Sequence, residues 1–170
     1  MPANIEIKAR ARNFADLRQR AEALSDTPVQ VILQEDTFFH IARGRLKLRL
    51  LAPDRAQLVY YERPDQDGPK HSNYYIFETH DPESLKNILS LALGVRGVVN
   101  KTRYLYMVGQ TRLHLDKVEG LGDFMELEVV LRPEQSDAEG QAIARDLMTR
   151  LGVQEEDLLE GAYMDLLEAK

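Results

Sequence analysis

The stretch Lys101–Leu131, KTRYLYMVGQTRLHLDKVEGLGDFMELEVVL, carries three strands in one run. Lys101 and Arg103 are two apart, as are Arg112, His114 and Asp116, and as are Glu126 and Glu128. Residues two apart in a strand share a face. Leu113 and Leu115, then Met125, Leu127 and Val129, fall between them and supply the opposite, apolar face. Turns are expected at Gly109-Gln110 and at Gly120-Leu121-Gly122. Such alternation has two readings. One is the solvated outer face of an antiparallel sheet. The other is a face that grips a metal-bound polyphosphate, which the sorting of charge suits: bases on the first two strands, two acids on the third.

Strands of the same kind precede this stretch. Asn4–Arg12 alternates Ile5, Ile7, Ala9 and Ala11 with Glu6, Lys8, Arg10 and Arg12. Asn13 then reads as the N-cap of a helix bearing Phe14, Leu17, Ala21 and Leu24. Gln30–His40 is rich in β-branched and aromatic residues, and in Arg45–Leu51 the cations Arg45, Lys47 and Arg49 share one face while Leu46, Leu48 and Leu50 share the other. Three cations on one short strand repel one another, and an anion would relieve them. Ala56–Arg63 and Tyr74–Thr79 read as further strands, carrying Glu62 and Glu78, joined by a loop over Pro64–Ser72 that includes Lys70 and His71.

Local signals also place two more helices. Asp81-Pro82 is a helix start, with Leu85, Ile88, Leu89, Ala92 and Leu93 as its apolar stripe and Gly94 as its stop. Ser136 with Glu139 forms a capping box ahead of Ile143, Leu147, Met148 and Leu151, and the tail Glu155–Ala169 is expected to be short helices. Helices that cover the leucine faces from outside would turn the charged faces toward one another. The expected fold is therefore α+β: an eight-stranded antiparallel closed β-barrel, or tunnel, with a polar lumen and helices packed outside.

At 170 residues the chain is expected to form one domain, spanning 1–170, with a core that needs no staples. It has no cysteine, which excludes disulfides and thiolate zinc sites. A net charge of −6 disfavours nucleic acid, so an anion site must come from local clustering of the 22 basic residues. The start MPANIEIKAR holds no signal core, and the apolar run Ile88–Val95 is too short for a bilayer, so the expectation is a cytoplasmic protein with no membrane partner. The histidines His40, His71, His80 and His114 show no zinc spacing, and the chain lacks a GxxxxGK loop and a GxSxG elbow.

The opening Asn4-Ile5-Glu6-Ile7-Lys8, the basic strand Leu46-Lys47-Leu48-Arg49, the Lys101-Thr102-Arg103 pair and the closing Glu126-Leu127-Glu128 together resemble the CYTH superfamily of triphosphate tunnel metalloenzymes. Asp116-Lys117-Val118-Glu119-Gly120-Leu121-Gly122, running into Phe124 and Glu126, is most similar to the class IV adenylate cyclase branch. The resemblance implies a tunnel in which Lys and Arg grip a triphosphate-containing small molecule while carboxylates hold Mg²⁺ or Mn²⁺. Carried over by position, Lys8 and Asp116 are the catalytic candidates. Lys47, Arg49, Lys70, Lys101, Arg103 and Arg112 are the substrate-binding candidates, and Glu6, Glu78, Glu126 and Glu128 the metal candidates. The chemistry is coherent: arginine binds phosphate oxygens in a two-pronged fashion, and Mg²⁺ takes one or two carboxylates and leaves room for phosphate and water.

Two positions depart from the family pattern. Asn4 stands where an acid is usual, and Glu62 stands where a lysine is usual, unless Arg63 or Lys70 replaces it. The resemblance allows a homodimer and leaves three activities open: conversion of ATP to cyclic AMP and pyrophosphate, hydrolysis of tripolyphosphate, thiamine triphosphate or a nucleoside triphosphate, and polyphosphate or nucleotide binding without turnover.

Overall fold

The computed structural model describes residues 3–62, 64, 66 and 68–169. In chain order the elements are β1 (Ala3–Arg10), α1 (Phe14–Leu24), β2 (Gln30–Phe39), β3 (Arg45–Ala52), β4 (Arg55–Glu62), β5 (Lys70–Thr79), α2 (Pro82–Leu93), β6 (Val95–Val108), β7 (Thr111–Val118) and β8 (Gly122–Val130), then α3 (Asp137–Leu151), a 3-10 turn (Glu155–Asp157), β9 (Leu158–Leu159) and α4 (Tyr163–Glu168). The strands lie in the order β5-β4-β3-β2-β6-β7-β8-β1-β9, and pairing of β5 with β1 closes the first eight into an antiparallel barrel. Closure satisfies the backbone groups that an open sheet would leave at its edges.

The alternation decides which face turns inward. Ile5, Ile7, Leu113, Leu115, Met125, Leu127 and Val129 point out of the barrel and pack against Leu17 and Ala21 of α1 and Leu147, Met148 and Leu151 of α3. Each such side chain contributes roughly 1.5–3 kcal/mol by leaving water. Gly140 lets α3 lie against β1, because a Cβ there would come within 2.5 Å of the Ile5 side chain and 2.6 Å of Leu131. The caps read from sequence are in place: Asn13 accepts from the Asp16 N–H, Asp81 from the Ser84 N–H, and Ser136 with Glu139 forms the reciprocal box.

Three local expectations change. Helix α2 uses only part of its stripe: Leu85 and Leu89 pack on the cluster of Phe39, Leu48 and Ala56, whereas Ile88 is 61% exposed and Leu93 36%. The curved outer wall of a barrel meets a narrower strip of a helix than a flat sheet does. The expected loop at Pro64–Ser72 ends early, because β5 starts at Lys70 and pairs there with Glu6 of β1. The tail is not simply helical. After the 3-10 turn, β9 pairs with Lys8 and Ala9 of β1, and Tyr163 and Met164 pack on Phe38, Val99, Val118 and Phe124. Gly97 makes room for Met164, whose sulfur would lie 2.5 Å from a Cβ at that position. Asp165 ties the tail to Arg45 at 2.6 Å and to Arg96 at 2.5 Å. Among the described residues, no helix is long and apolar enough to cross a membrane.

Candidate functional site

The lumen is a cavity of about 440 Å³ whose walls include Lys8, Lys47, Arg49, Lys101, Arg103 and Arg112 together with Glu6, Asp36, Glu126 and Glu128, and whose floor includes Ala162 and Tyr163 of the tail. A wider concavity of about 600 Å³ beside β2 and the β3–β4 and β7–β8 turns is walled by Leu33, Leu50, Leu51, Pro53 and Val118 with Glu35, Lys117, Glu119 and Asp123 at its polar side, and shares Lys101 with the lumen. The smaller cavity is the candidate site, since it gathers most of the cations and carboxylates selected from sequence.

Those charges form two clusters. In the first, Asp36 accepts from Arg49 Nε and Nη2 at 2.8 Å each and from Lys101 Nζ at 2.9 Å, with Lys47 Nζ at 3.7 Å. Burial alone would raise the Asp36 carboxyl, but the charges of Arg49, Lys101 and Lys47 hold it well below the usual range. Burial, and then the charge of Arg49, push the Lys47 ammonium down to about 7. Burial also lowers Lys101, against the pull of Asp36.

In the second cluster Arg103 donates to Asp116 through Nε at 2.8 Å and Nη2 at 2.7 Å, and Nη2 lies 3.6 Å from Glu126. Lys8 Nζ is 3.4 Å from Glu126, and 4.0 Å from the centre of the Tyr163 ring. Tyr163 donates its hydroxyl proton to Asp116 at 2.7 Å. Burial would raise both carboxyls; Arg103 outweighs it at Asp116, and Lys8, His114 and Arg103 outweigh it at Glu126, so both are ionised. His114 is buried with Nδ1 3.7 Å from Glu126, which is ion-pair range and too long for a hydrogen bond. Burial and the Arg103 charge lower the imidazole to about 4, so it is neutral at pH 7.

The metal candidates divide. Glu6 and Glu128 face each other across β1 and β8, with Arg112 3.6 Å from Glu128. Burial, and then the Glu6 charge, raise the Glu128 carboxyl. Asn4, two residues from Glu6 on the same face, has a buried Oδ1 with no hydrogen-bond partner. Two carboxylates that oppose each other and one orphaned amide oxygen are hard donors of the kind Mg²⁺ or Mn²⁺ takes, so these residues fit such an ion. Among the described residues no three His, Asp or Glu side chains converge as a ready-made cage. Glu126 is instead engaged by Lys8 and Arg103. Glu78 lies exposed and accepts from the Gln57 amide at 3.2 Å, outside the lining of the lumen.

Lys70 is 1% exposed and donates to the Gln66 carbonyl at 2.6 Å and the Leu159 carbonyl at 3.4 Å, so its ammonium is held by backbone beside β9 and is not among the residues that line the lumen. His71 bridges Asp137 of α3 and Asn73. Glu62 adds no anion to the lumen: it is exposed and bonds the Tyr60 hydroxyl beside it. Arg63 lies outside the described residues. Sequence reading passed over Asp36 and Tyr163. Asp36 shares a parity with Gln34 and Phe38 on β2, but only the register that sets it opposite Arg49 shows what it meets.

A model of the CYTH domain matches residues 2–163, nearly the whole chain. The chain belongs to the CYTH family. Adenylate cyclase CyaB of Aeromonas hydrophila is 29% identical over 144 residues, covering 79% of this chain and 72% of the relative. The structure of PH1012 from Pyrococcus horikoshii superposes with a TM-score of 0.84 at 30% identity, covering 96% of this chain and 99% of that one. HpAC1 from Hippeastrum, described as an adenylyl cyclase candidate with a dominant triphosphatase activity, shares the fold at a TM-score of 0.69 and 15% identity, with 99% of this chain and 96% of that one covered.

Proposed function

We propose that this CYTH protein is a metal-dependent enzyme that binds a nucleoside triphosphate in its tunnel and, like the relative it resembles in sequence, converts ATP to cyclic AMP and pyrophosphate. The observation that carries this reading is the convergence of Lys8, Lys47, Arg49, Lys101 and Arg103 on one cavity that also holds the facing pair Glu6 and Glu128. A triphosphate needs several cations at short range, two-pronged arginine contacts, and a divalent ion between its oxygens and a carboxylate. Val59, Tyr74, Ile76 and Val130 line the same cavity and offer apolar wall for a ribose and base.

In this reading Lys47, Arg49, Lys101 and Arg103 bind phosphate, and Arg112 does so from beside Glu128. Glu6, Glu128 and the Asn4 amide oxygen would hold Mg²⁺ or Mn²⁺, which when bound neutralises phosphate charge and helps align the reacting oxygens. Lys8 stabilises charge on the departing pyrophosphate, from a position fixed by Glu126 and the Tyr163 ring. Asp116 is already ionised and forked by Arg103, which suits orienting that guanidinium better than accepting a proton. The burial of these groups makes each charge count for more than it would in water. A cytoplasmic setting fits a substrate of this class.

The same cations would also hold bare tripolyphosphate, so hydrolysis of a terminal phosphate is the second reading. Phosphorus NMR of the protein with ATP and, separately, tripolyphosphate, each with Mg²⁺, Mn²⁺ or a chelator, distinguishes them. Metal-dependent cyclic AMP and pyrophosphate support the cyclase. Orthophosphate from tripolyphosphate without cyclic product replaces it with the triphosphatase, and absence of turnover in every arm contradicts both.

A further inference from the structure

The two charge clusters of the lumen are not equally balanced. Arg103 and Lys8 are met by two carboxylates, Asp116 and Glu126. On the other wall Lys47, Arg49 and Lys101 converge on Asp36, the one carboxylate within ion-pair distance of them among the described residues, and it offsets one of three positive charges. Asp36 is 1% exposed and comes from β2, the strand that lies between β3 and β6 and so touches both strands that carry these cations. Its Oδ2 is within reach of all three, at 2.8 Å from Arg49, 2.9 Å from Lys101 and 3.7 Å from Lys47.

We propose that Asp36 is a positioning residue: the resident counter-anion that gathers Lys47, Arg49 and Lys101 at one point of the lumen and favours the Lys47 ammonium until a phosphate group of the substrate joins them. The inference rests on the triphosphate-binding reading and adds which wall takes a phosphate first. Without Asp36, three buried cations would face one another with nothing to hold them, and an ammonium can shed its proton whereas a guanidinium cannot. Lys47 is the group that would yield. It faces Arg49 on its own strand, Asp36 on β2, Lys101 and Arg103 on β6, and the rings of Phe38 at 5.8 Å and Tyr61 at 5.2 Å. Of these charges Asp36 is the one that favours the ammonium, and even with it the group titrates at about 7.

The test is Asp36→Asn, close in shape to the native residue, titrated with tripolyphosphate by calorimetry at acid and alkaline pH. At about pH 6 the variant should bind within roughly threefold of the wild type, because giving Lys47 its proton costs little there; at about pH 8.5 it should bind at least about tenfold more weakly, because that lysine must regain its proton without the help of Asp36. A merely structural role would weaken binding equally at both values, and that result overturns the proposal. Failure of the wild type to bind tripolyphosphate at either pH would overturn the triphosphate reading and this inference with it; wild-type binding with a parallel loss in the variant overturns the inference alone. Should Asp36→Asn not fold, the wild type decides. Binding at about pH 8, measured in two buffers of different ionisation heat, should take up about one proton per ligand in the wild type and none in Lys47→Met. Equal proton uptake in both proteins refutes the assignment.

Discussion

Removal of Arg103 separates the structural from the binding role of the lumenal charges. Its guanidinium forks Asp116 at 2.8 and 2.7 Å and stands 3.6 Å from Glu126, and it is 6% exposed. Arg103→Met leaves the buried Asp116 carboxylate with the Tyr163 hydroxyl as its hydrogen-bond donor. Breaking a buried pair by removing one partner costs about 3–5 kcal/mol. For a chain of this length each kcal/mol moves the melting temperature by about 2–4 °C, so the loss should be roughly 6–20 °C. Combining Arg103→Met with Asp116→Leu and Tyr163→Phe removes every member of that fork and should return stability to within about 2 kcal/mol of the wild type, since replacing a buried pair by apolar groups is often close to neutral. Urea unfolding measures both steps. The same triple variant should bind tripolyphosphate at least about tenfold more weakly, because a two-pronged phosphate contact is gone. A single variant that loses less than about 1 kcal/mol, or a triple variant that regains stability and also binds like the wild type, would refute this reasoning.

Other expectations follow from other parts of the site. Asn4→Asp adds a charge beside Glu6 and Glu128, so Mn²⁺ should bind more tightly, while the metal-free protein loses stability; paramagnetic resonance titration and melting curves read the two effects. Tyr163→Ala removes a buried ring on which the Lys8 ammonium rests at 4.0 Å and should cost about 3–5 kcal/mol in urea unfolding, as loss of a large core aromatic does. The Asp165 carboxyl feels burial upward, but the Ala162 N–H, Arg96 and Arg45 bring it down to about 2 from 3.8. Its contribution is therefore present above about pH 3.8 and lost as pH falls toward 2, and Asp165→Asn should flatten that acid limb of the stability curve. His71 is raised by Asn73 and Asp137 against the effect of burial. It should stabilise the fold below its ordinary value of 6.5 and stop doing so as pH rises through the raised one, a slope that His71→Gln removes.

The barrel was legible because closure follows from alternation. Ile5, Ile7, Leu113, Leu115, Leu127 and Val129 need a cover, and the three helices with sequence-local caps supply it from outside for most of the wall. Lys8, Lys47, Arg49, Lys101 and Arg103 then have nowhere to point but the lumen. What escaped depends on contacts between distant segments. Asp36 sits in QVILQEDTFFH beside another acid, and nothing local separates it from Glu35, which stays on the outer surface near Lys86. Tyr163 reaches the lumen only because the tail doubles back along β1, a path that two residues of β9 and the Asp165 ion pairs determine. Lys70 follows a segment rich in proline, glycine and aspartate, and its strand character comes from pairing with Glu6 once the barrel is closed.

The most direct test of a triphosphate tunnel with an oxygen-ligand metal site is a crystal structure of the protein with tripolyphosphate and Mn²⁺. The account predicts phosphate density within hydrogen-bonding distance of Lys47, Arg49, Lys101 and Arg103, and an anomalous manganese peak between Glu6 and Glu128. Phosphate and metal seated instead in the wider concavity walled by Leu33, Leu50 and Pro53, with Arg49 and Arg103 untouched, would contradict it.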